Sequence, residues 1–213
     1  MTGGSLWREH LRPFVASRSL RQLTLAAGAL VLLASGLFGG LERAEPEKVT
    51  SVKAGQTVDT GPFDLTVTKV VWAEDLADGP GESELGRFLV VHATVTSTEK
   101  DTVSGFVIRE ALRIHGLRGF AEKEGSDVLV TSDEADPRVV SVADQVRIDY
   151  LNPGLTYDVQ YVWEQTWSRP LPSSVDLTVF GHGFRQSNID EQEDWFDRFP
   201  IAVGSFAVTE LSS

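Results

Sequence analysis

Three histidines lie beyond residue 50, at positions 92, 115 and 182. Histidine is the usual side chain for acid–base work or metal ligation near neutral pH. His92, His115 and His182 stand at no metal-ligand spacing from one another, and no H-E-x-x-H occurs. His92 falls on the outward face of an alternating strand, His115 closes a strand before Gly116, and His182 sits between two glycines. Each reads as a surface or turn histidine. No serine stands in a G-x-S-x-G elbow, and there is neither a P-loop nor a G-x-G-x-x-G. Cysteine is absent, which excludes disulfides, thiolate metal sites and a thiol nucleophile. Carboxylates crowd two places: Asp133, Glu134 and Asp136, then Asp190, Glu191, Glu193, Asp194 and Asp197. Calcium takes six to eight oxygens, but neither spacing matches a calcium loop. Both runs read as solvated acidic surface, so neither a metal nor a cofactor is expected.

The aromatic residues carry more information. Trp72, Trp163, Trp167 and Trp195 all follow residue 50. Trp163 lies on an alternating strand and is expected in the core. Trp195 and Phe196 are set inside the second acidic run. Such a pair either docks back on the body of the domain or forms an exposed contact. These two residues are the candidate partner-binding pair of the domain.

Strands must position these side chains. Phe63, Leu65 and Val67 alternate with Asp64, Thr66 and Thr68; Leu89, Val91, Ala93 and Val95 with Val90, His92, Thr94 and Thr96; and Tyr157, Val159, Tyr161 and Trp163 with Asp158, Gln160, Val162 and Glu164. Val175, Leu177 and Val179 repeat the pattern. A period of two marks half-buried strands. Further short strands are expected near 104–108, 111–115, 145–150 and 203–209. Gly61-Pro62, Asp78–Gly81, Asn152-Pro153-Gly154, Pro170 and Pro172 punctuate them. One short helix is expected over 187–198. Many short strands so spaced predict a β-sandwich or barrel.

The first part of the chain differs. Residues 1–22 hold four of the 19 basic and one of the 31 acidic residues, a net of +3. Residues 42–213 hold the remaining 15 and 30, a net of −15. The acidic balance sets nucleic acid aside, because phosphate contacts come from Lys and Arg. Between them, Leu23–Leu41 carries no charge over 19 residues. As a helix it spans roughly 28 Å, close to a hydrocarbon core of about 30 Å. Arg18 and Arg21 precede it and Glu42, Glu45 and Glu47 follow. The positive-inside rule then predicts a cytoplasmic N-terminus and an extracytoplasmic domain in a single-pass cell-membrane protein. A cleaved signal peptide is the alternative, with Ala34-Ser35-Gly36 as its cleavage site. The apolar run exceeds the usual 7–15 residues of such peptides, which favours a retained anchor. Gly36 and Gly40 form a small-xxx-small pair able to admit a second helix. Leu6, Trp7, Leu11 and Phe14 fall on one helical face, the pattern of an interfacial helix, although Pro13 interrupts it. Residues 42–50 read as a tether and 51–213 as the outer domain.

The runs GQTVDTGPFDLTVTKV and GRFLVVHATVTSTEKD, with Leu151-Asn152-Pro153-Gly154 and Val159–Trp163, resemble a widespread family of bacterial extracellular immunoglobulin-like domains of unknown function. The resemblance implies an all-β, immunoglobulin-like sandwich. About 172 outer residues exceed the roughly 100 that such a sandwich needs, so long insertions are expected in 116–144 and 181–205. The family carries no assigned catalytic residues. The combined expectation is a non-enzymatic interaction or accessory module for an integral membrane or envelope protein, held in the lipid bilayer through 23–41. The alternative is a cell-wall carbohydrate- or ligand-binding domain.

Overall fold

The computed structural model describes residues 25, 49–76, 81–83, 86–124, 128–132, 135–166, 169–186 and 193–211. Leu6, Trp7, Leu11, Phe14, Gly36 and Gly40 lie outside the described residues, as does the expected membrane helix apart from Leu25. Among the described residues no helix is long and apolar enough to cross a membrane. The chain divides into two compact units, Met1–Pro46 and Glu47–Ser213.

Among the described residues the second unit is all-β apart from one short helix. Its strands are β1 (Thr50–Ser51), β2 (Thr57–Asp59), β3 (Phe63–Ala73), β4 (Asp75–Leu76), β5 (Gly81–Glu82), β6 (Gly86–Ser97), β7 (Val103–Ser104), β8 (Leu112–His115), β9 (Phe120–Glu124), β10 (Val128–Ser132), β11 (Arg138–Ser141), β12 (Tyr150–Leu151), β13 (Thr156–Thr166), β14 (Ser174–Gln186) and β15 (Glu193–Glu210). The helix α1 covers Gly105–Glu110.

Eleven of the strands form one continuous sheet folded over into a sandwich. One layer runs β8-β14-β15-β1. The other runs β2-β3-β6-β13, and the far edge of β13 is shared by β11 and β9, with β10 beyond β9. Strand β15 joins the layers: most of it pairs with β14, and its last residues, Val208–Glu210, pair in parallel with Val70–Trp72 of β3. The short strand β1 also runs parallel to β15, Thr50 opposite Ala202.

The period-two residues fill the space between the layers. Leu65, Val67, Leu89, Val91, Val95, Tyr161 and Trp163 meet Leu112, Val175, Leu177, Val179 and Phe206 there. Trp163 is 2% exposed, its indole N–H donates to the Ala135 carbonyl, and its ring stacks at 6.3 Å on Tyr161. A bulge at Val67/Lys69 of β3 inverts the alternation. Beyond it Val70 points inward, and Val71 and Ala73 join Phe88, Val90, Val140 and Val162 in a second apolar cluster. A one-residue shift of this kind moves every later side chain to the other face. Arg87 also lies inside, where its guanidinium donates to the Gln165 side-chain oxygen and to the carbonyls of Arg169 and Pro170.

Three local expectations fail. Of residues 145–150, expected as a strand, only Tyr150 is in one, opening β12, and Arg147 makes an isolated bridge to Val140. Residues 105–108 are not a strand: Ser104, which ends β7, caps α1, accepting from the Phe106 N–H, and Val107 and Ile108 turn into the core. Gly105 fixes this site, because a Cβ there would stand 2.1 Å from the Ile148 carbonyl oxygen. Residues 193–198, expected as part of a helix, are the first turnless stretch of β15; 187–192 lie outside the described residues. Across the hairpin Trp195 faces Phe184 and Phe196 faces Gly183, so the segment has an extended partner to pair with. The expected insertions are largely ordered strand as well, 116–144 supplying β9, β10 and β11, and 181–205 the long β14–β15 hairpin.

Candidate functional site

At one end of the sandwich the β2–β3 turn, α1 and the β14–β15 hairpin meet. Two backbone contacts draw them together, and a hydroxyl from β13 ties down α1. The His182 N–H donates to the Thr60 carbonyl at 2.9 Å, the Phe180 N–H to the Ala111 carbonyl at 2.9 Å, and the Tyr161 hydroxyl to the Ile108 carbonyl at 3.0 Å. Gly61, with φ +99°, lies under the Trp195 ring: a Cβ there would stand 2.6 Å from the indole. Only glycine tolerates both the dihedral and the approach.

Trp195 is therefore half-buried, docked over Gly61 and tilted against Phe184 with ring centroids 5.2 Å apart. Phe184 itself is 53% exposed, and Phe106 on α1 is 53% exposed. Phe196 is half-buried, with the Arg185 guanidinium 4.9 Å over its ring. Arg109 stands 5.2 Å over Phe106, and Arg198 stands 5.3 Å over Phe180. Cation–ring contacts of this kind contribute about 0.5–1 kcal/mol each at exposed positions. The sequence singled out Trp195 and Phe196. It did not single out Phe106 or Phe184, which enter only through strand register and helix placement.

Two hollows open here. One, of about 180 Å³, is lined in part by Phe106, Glu110, His182, Trp195 and Phe196. The other, of about 350 Å³, is lined in part by Arg113, His115, Asp136, Phe180 and Arg198. The acidic run at 190–197 does not stand alone. Asp197 is bound on both oxygens by Arg185, a hydrogen-bonded pair that holds its carboxyl below the usual range. The Asp194 carboxylate accepts from the Trp195 backbone N–H at 2.7 Å. Asp136, from the first run, meets Arg113 at 2.7 Å, and Arg198 lies 3.6 Å from Glu110. Asp133, Glu134, Asp190 and Glu191 lie outside the described residues.

His182 corrects the reading from sequence. It is not a turn residue at the surface but a strand residue 4% exposed, and neither ring nitrogen has a hydrogen-bond partner among the described residues. Burial, and secondarily the charge of Arg198, depresses its pKa to about 4, so the ring is neutral at pH 7. His92 is half-buried on β6, its Nε2 also buried without a hydrogen-bond partner among the described residues, and its pKa is lowered by burial and by Lys69.

No family model matches the chain, and no curated protein matches it in sequence. Two solved structures resemble it. One is an uncharacterized β-sandwich protein from Clostridium difficile, 11% identical, TM-score 0.45, covering 76% of this chain and 97% of that one. The other, from Staphylococcus aureus, is described as a candidate lipoprotein; it is 12% identical, TM-score 0.38, covering 78% of this chain and 97% of that one. Neither likeness carries a functional assignment.

Proposed function

We propose that this protein is a non-enzymatic accessory or interaction module of the bacterial envelope, anchored through residues 23–41 with its sandwich outside the membrane. Its immunoglobulin-like kinship is our reading of the Val52–Thr98 pattern. The partner is an integral membrane or envelope protein. One observation carries the reading: Phe106 and Phe184, each about half exposed, flank Trp195 and Phe196 at one end of the domain. Exposed aromatic and arginine side chains gathered at one place are the composition of a protein contact core.

The test is recovery of the full-length protein from its native membrane. An integral membrane protein is expected to co-purify, and Phe184→Asp together with Phe106→Asp is expected to abolish its recovery while leaving the fold intact. Retention of the partner by this double variant would remove the aromatic end from the contact. A second arm replaces residues 1–41 by an unrelated anchor of the same orientation. Loss of the partner there would assign the contact to Gly36, Gly40 and the Leu6, Trp7, Leu11 and Phe14 face.

A further inference from the structure

The smaller hollow is walled by aromatic rings from two elements, Phe106 of α1 and Trp195 and Phe196 of β15. Asp197 is an extra residue in β15, because Phe196 pairs with Gly183 and Arg198 with His182. A bulge of this kind re-aims side chains, and here two consecutive rings share one hollow. The rings already draw cations. Arg185 stands 4.9 Å over Phe196 and Arg109 stands 5.2 Å over Phe106, yet neither arginine is among the described residues that line the hollow.

The charges of the lining set the sign of what enters. Glu110, Asp194 and Asp197 line the hollow, and among the described residues no lysine or arginine does. Two of the carboxylates are balanced from outside it, Glu110 by Arg198 at 3.6 Å and Asp197 by Arg185. Asp194 accepts the Trp195 backbone N–H and has no cationic partner among the described residues. His182 adds no charge, because both its ring nitrogens are buried and the ring is neutral at pH 7. One negative charge is left over, beside rings whose faces are themselves electron-rich. An anion is repelled there. A neutral ligand would strip water from the Asp194 carboxylate and put nothing in its place.

The committed oxygens narrow the kind of cation. Calcium wants six to eight oxygens, but both Asp197 oxygens are held by Arg185 and one Asp194 oxygen holds the Trp195 N–H. A primary ammonium brings three N–H donors that need acceptors. A fully alkylated ammonium brings none. It is stabilised by ring faces and by a nearby unpaired negative charge, which is how aromatic-walled sites recognise it. A hollow of about 180 Å³ is smaller than the roughly 300–1,000 Å³ of a drug-sized site, with room for one such group.

We infer that this hollow binds one quaternary ammonium group, its methyl groups against Phe106, Trp195 and Phe196 and its charge beside Asp194. The group belongs either to a small free solute or to a lipid headgroup. The inference goes beyond the interaction-module reading and does not depend on it.

The experiment uses the full chain at pH 7 in a maltoside detergent, which carries no ammonium group. Its five tryptophans are replaced by fluorotryptophan, and Trp195→Phe assigns the Trp195 fluorine resonance. Tetramethylammonium chloride and choline chloride are titrated against sodium chloride at constant ionic strength. The neutral tert-butyl analogue of choline is the uncharged control. In a parallel arm, the chain is reconstituted in phosphatidylglycerol vesicles with and without phosphatidylcholine. A saturable shift of the Trp195 resonance is expected with at least one ammonium probe, while Trp163 stays in place and the neutral analogue binds at least about tenfold more weakly. Asp194→Asn keeps an oxygen for the Trp195 N–H, and Phe106→Ala falls at an exposed position, so both variants keep the fold. Each is expected to weaken the response by about threefold to tenfold. A response to the free ammonium ions identifies a solute site; a response to phosphatidylcholine vesicles alone identifies a headgroup site; either supports the inference. It is overturned if Trp195 responds to every ammonium probe as it does to sodium chloride, if the neutral analogue binds as well as choline, or if both variants respond like the native chain. Ammonium binding and partner co-purification are read separately, so one can fail while the other stands.

Discussion

Trp163 and His182 show opposite uses of a buried ring. Trp163 is enclosed and satisfied, its N–H on the Ala135 carbonyl and its face on Tyr161. Trp163→Ala is expected to cost about 3–5 kcal/mol, a large part of a typical domain's roughly 5–15 kcal/mol. Denaturant melts of the two chains measure it, and a loss under about 1 kcal/mol would place the residue outside the core. His182 is enclosed but unsatisfied. Its folded pKa, about 4, lies below the ordinary value of 6.5. Between those values the unfolded chain binds a proton that the folded chain refuses. Its contribution to stability is therefore complete above about pH 6.5 and lost as pH falls toward 4, with a slope of at most about 1.4 kcal/mol per pH unit. Carboxylates titrate in the same range, so the comparison is with His182→Gln, whose stability is expected to fall less steeply over that window. Parallel curves for the two chains would show that His182 is solvated. Neither the burial nor the lack of a partner was visible in the sequence, because both depend on Thr60 and α1, far from position 182 in the chain.

At the scale of elements, α1 and the β14–β15 hairpin make the candidate site. The helix has only six residues and owes its place to tertiary contacts. Val107 and Ile108 bury one face, the Tyr161 hydroxyl binds its last turn, and Ser104 caps its start through a 3.3 Å contact with the Phe106 N–H. Ser104→Ala is expected to remove about 1 kcal/mol, read as a fall in melting temperature of about 2–4 °C for a domain of this size. An unchanged melting temperature would show that the helix start does not depend on its cap. The alternation of Val103, Ser104 and Gly105 gave no warning of the helix, since β-branched Val103 and Val107 favour strands. The approach of Ile148 and Asp149 decides the matter: Gly105 donates to Asp149 at 2.7 Å and leaves no room for a side chain. Likewise 193–198 carries no local strand signal. It is extended because β14 offers a ladder from Ser174 to Gln186.

For the molecule as a whole, the charge asymmetry about 23–41 argues an orientation. A reporter active only in the cytoplasm, fused after Ser213, is expected to be silent, and activity there would reverse the topology. The sequence by itself determined that the part of the chain beyond the tether is mostly β, because the period of two in Phe63–Val67, Leu89–Val95, Tyr157–Trp163 and Val175–Val179 commits one face of each strand to a common interior. It also determined the acidity of that domain and the core place of Trp163. Only the tertiary structure decided which strands lie side by side, how β15 joins the two layers, where the bulge at Val67/Lys69 inverts the faces, and which aromatic rings gather around His182. The reason is one of range. Alternation is written in neighbouring residues, whereas the contacts that make the site join Gly61 to Trp195 and Thr60 to His182, and such pairings are fixed by register and packing between segments whose own sequences do not name their partners.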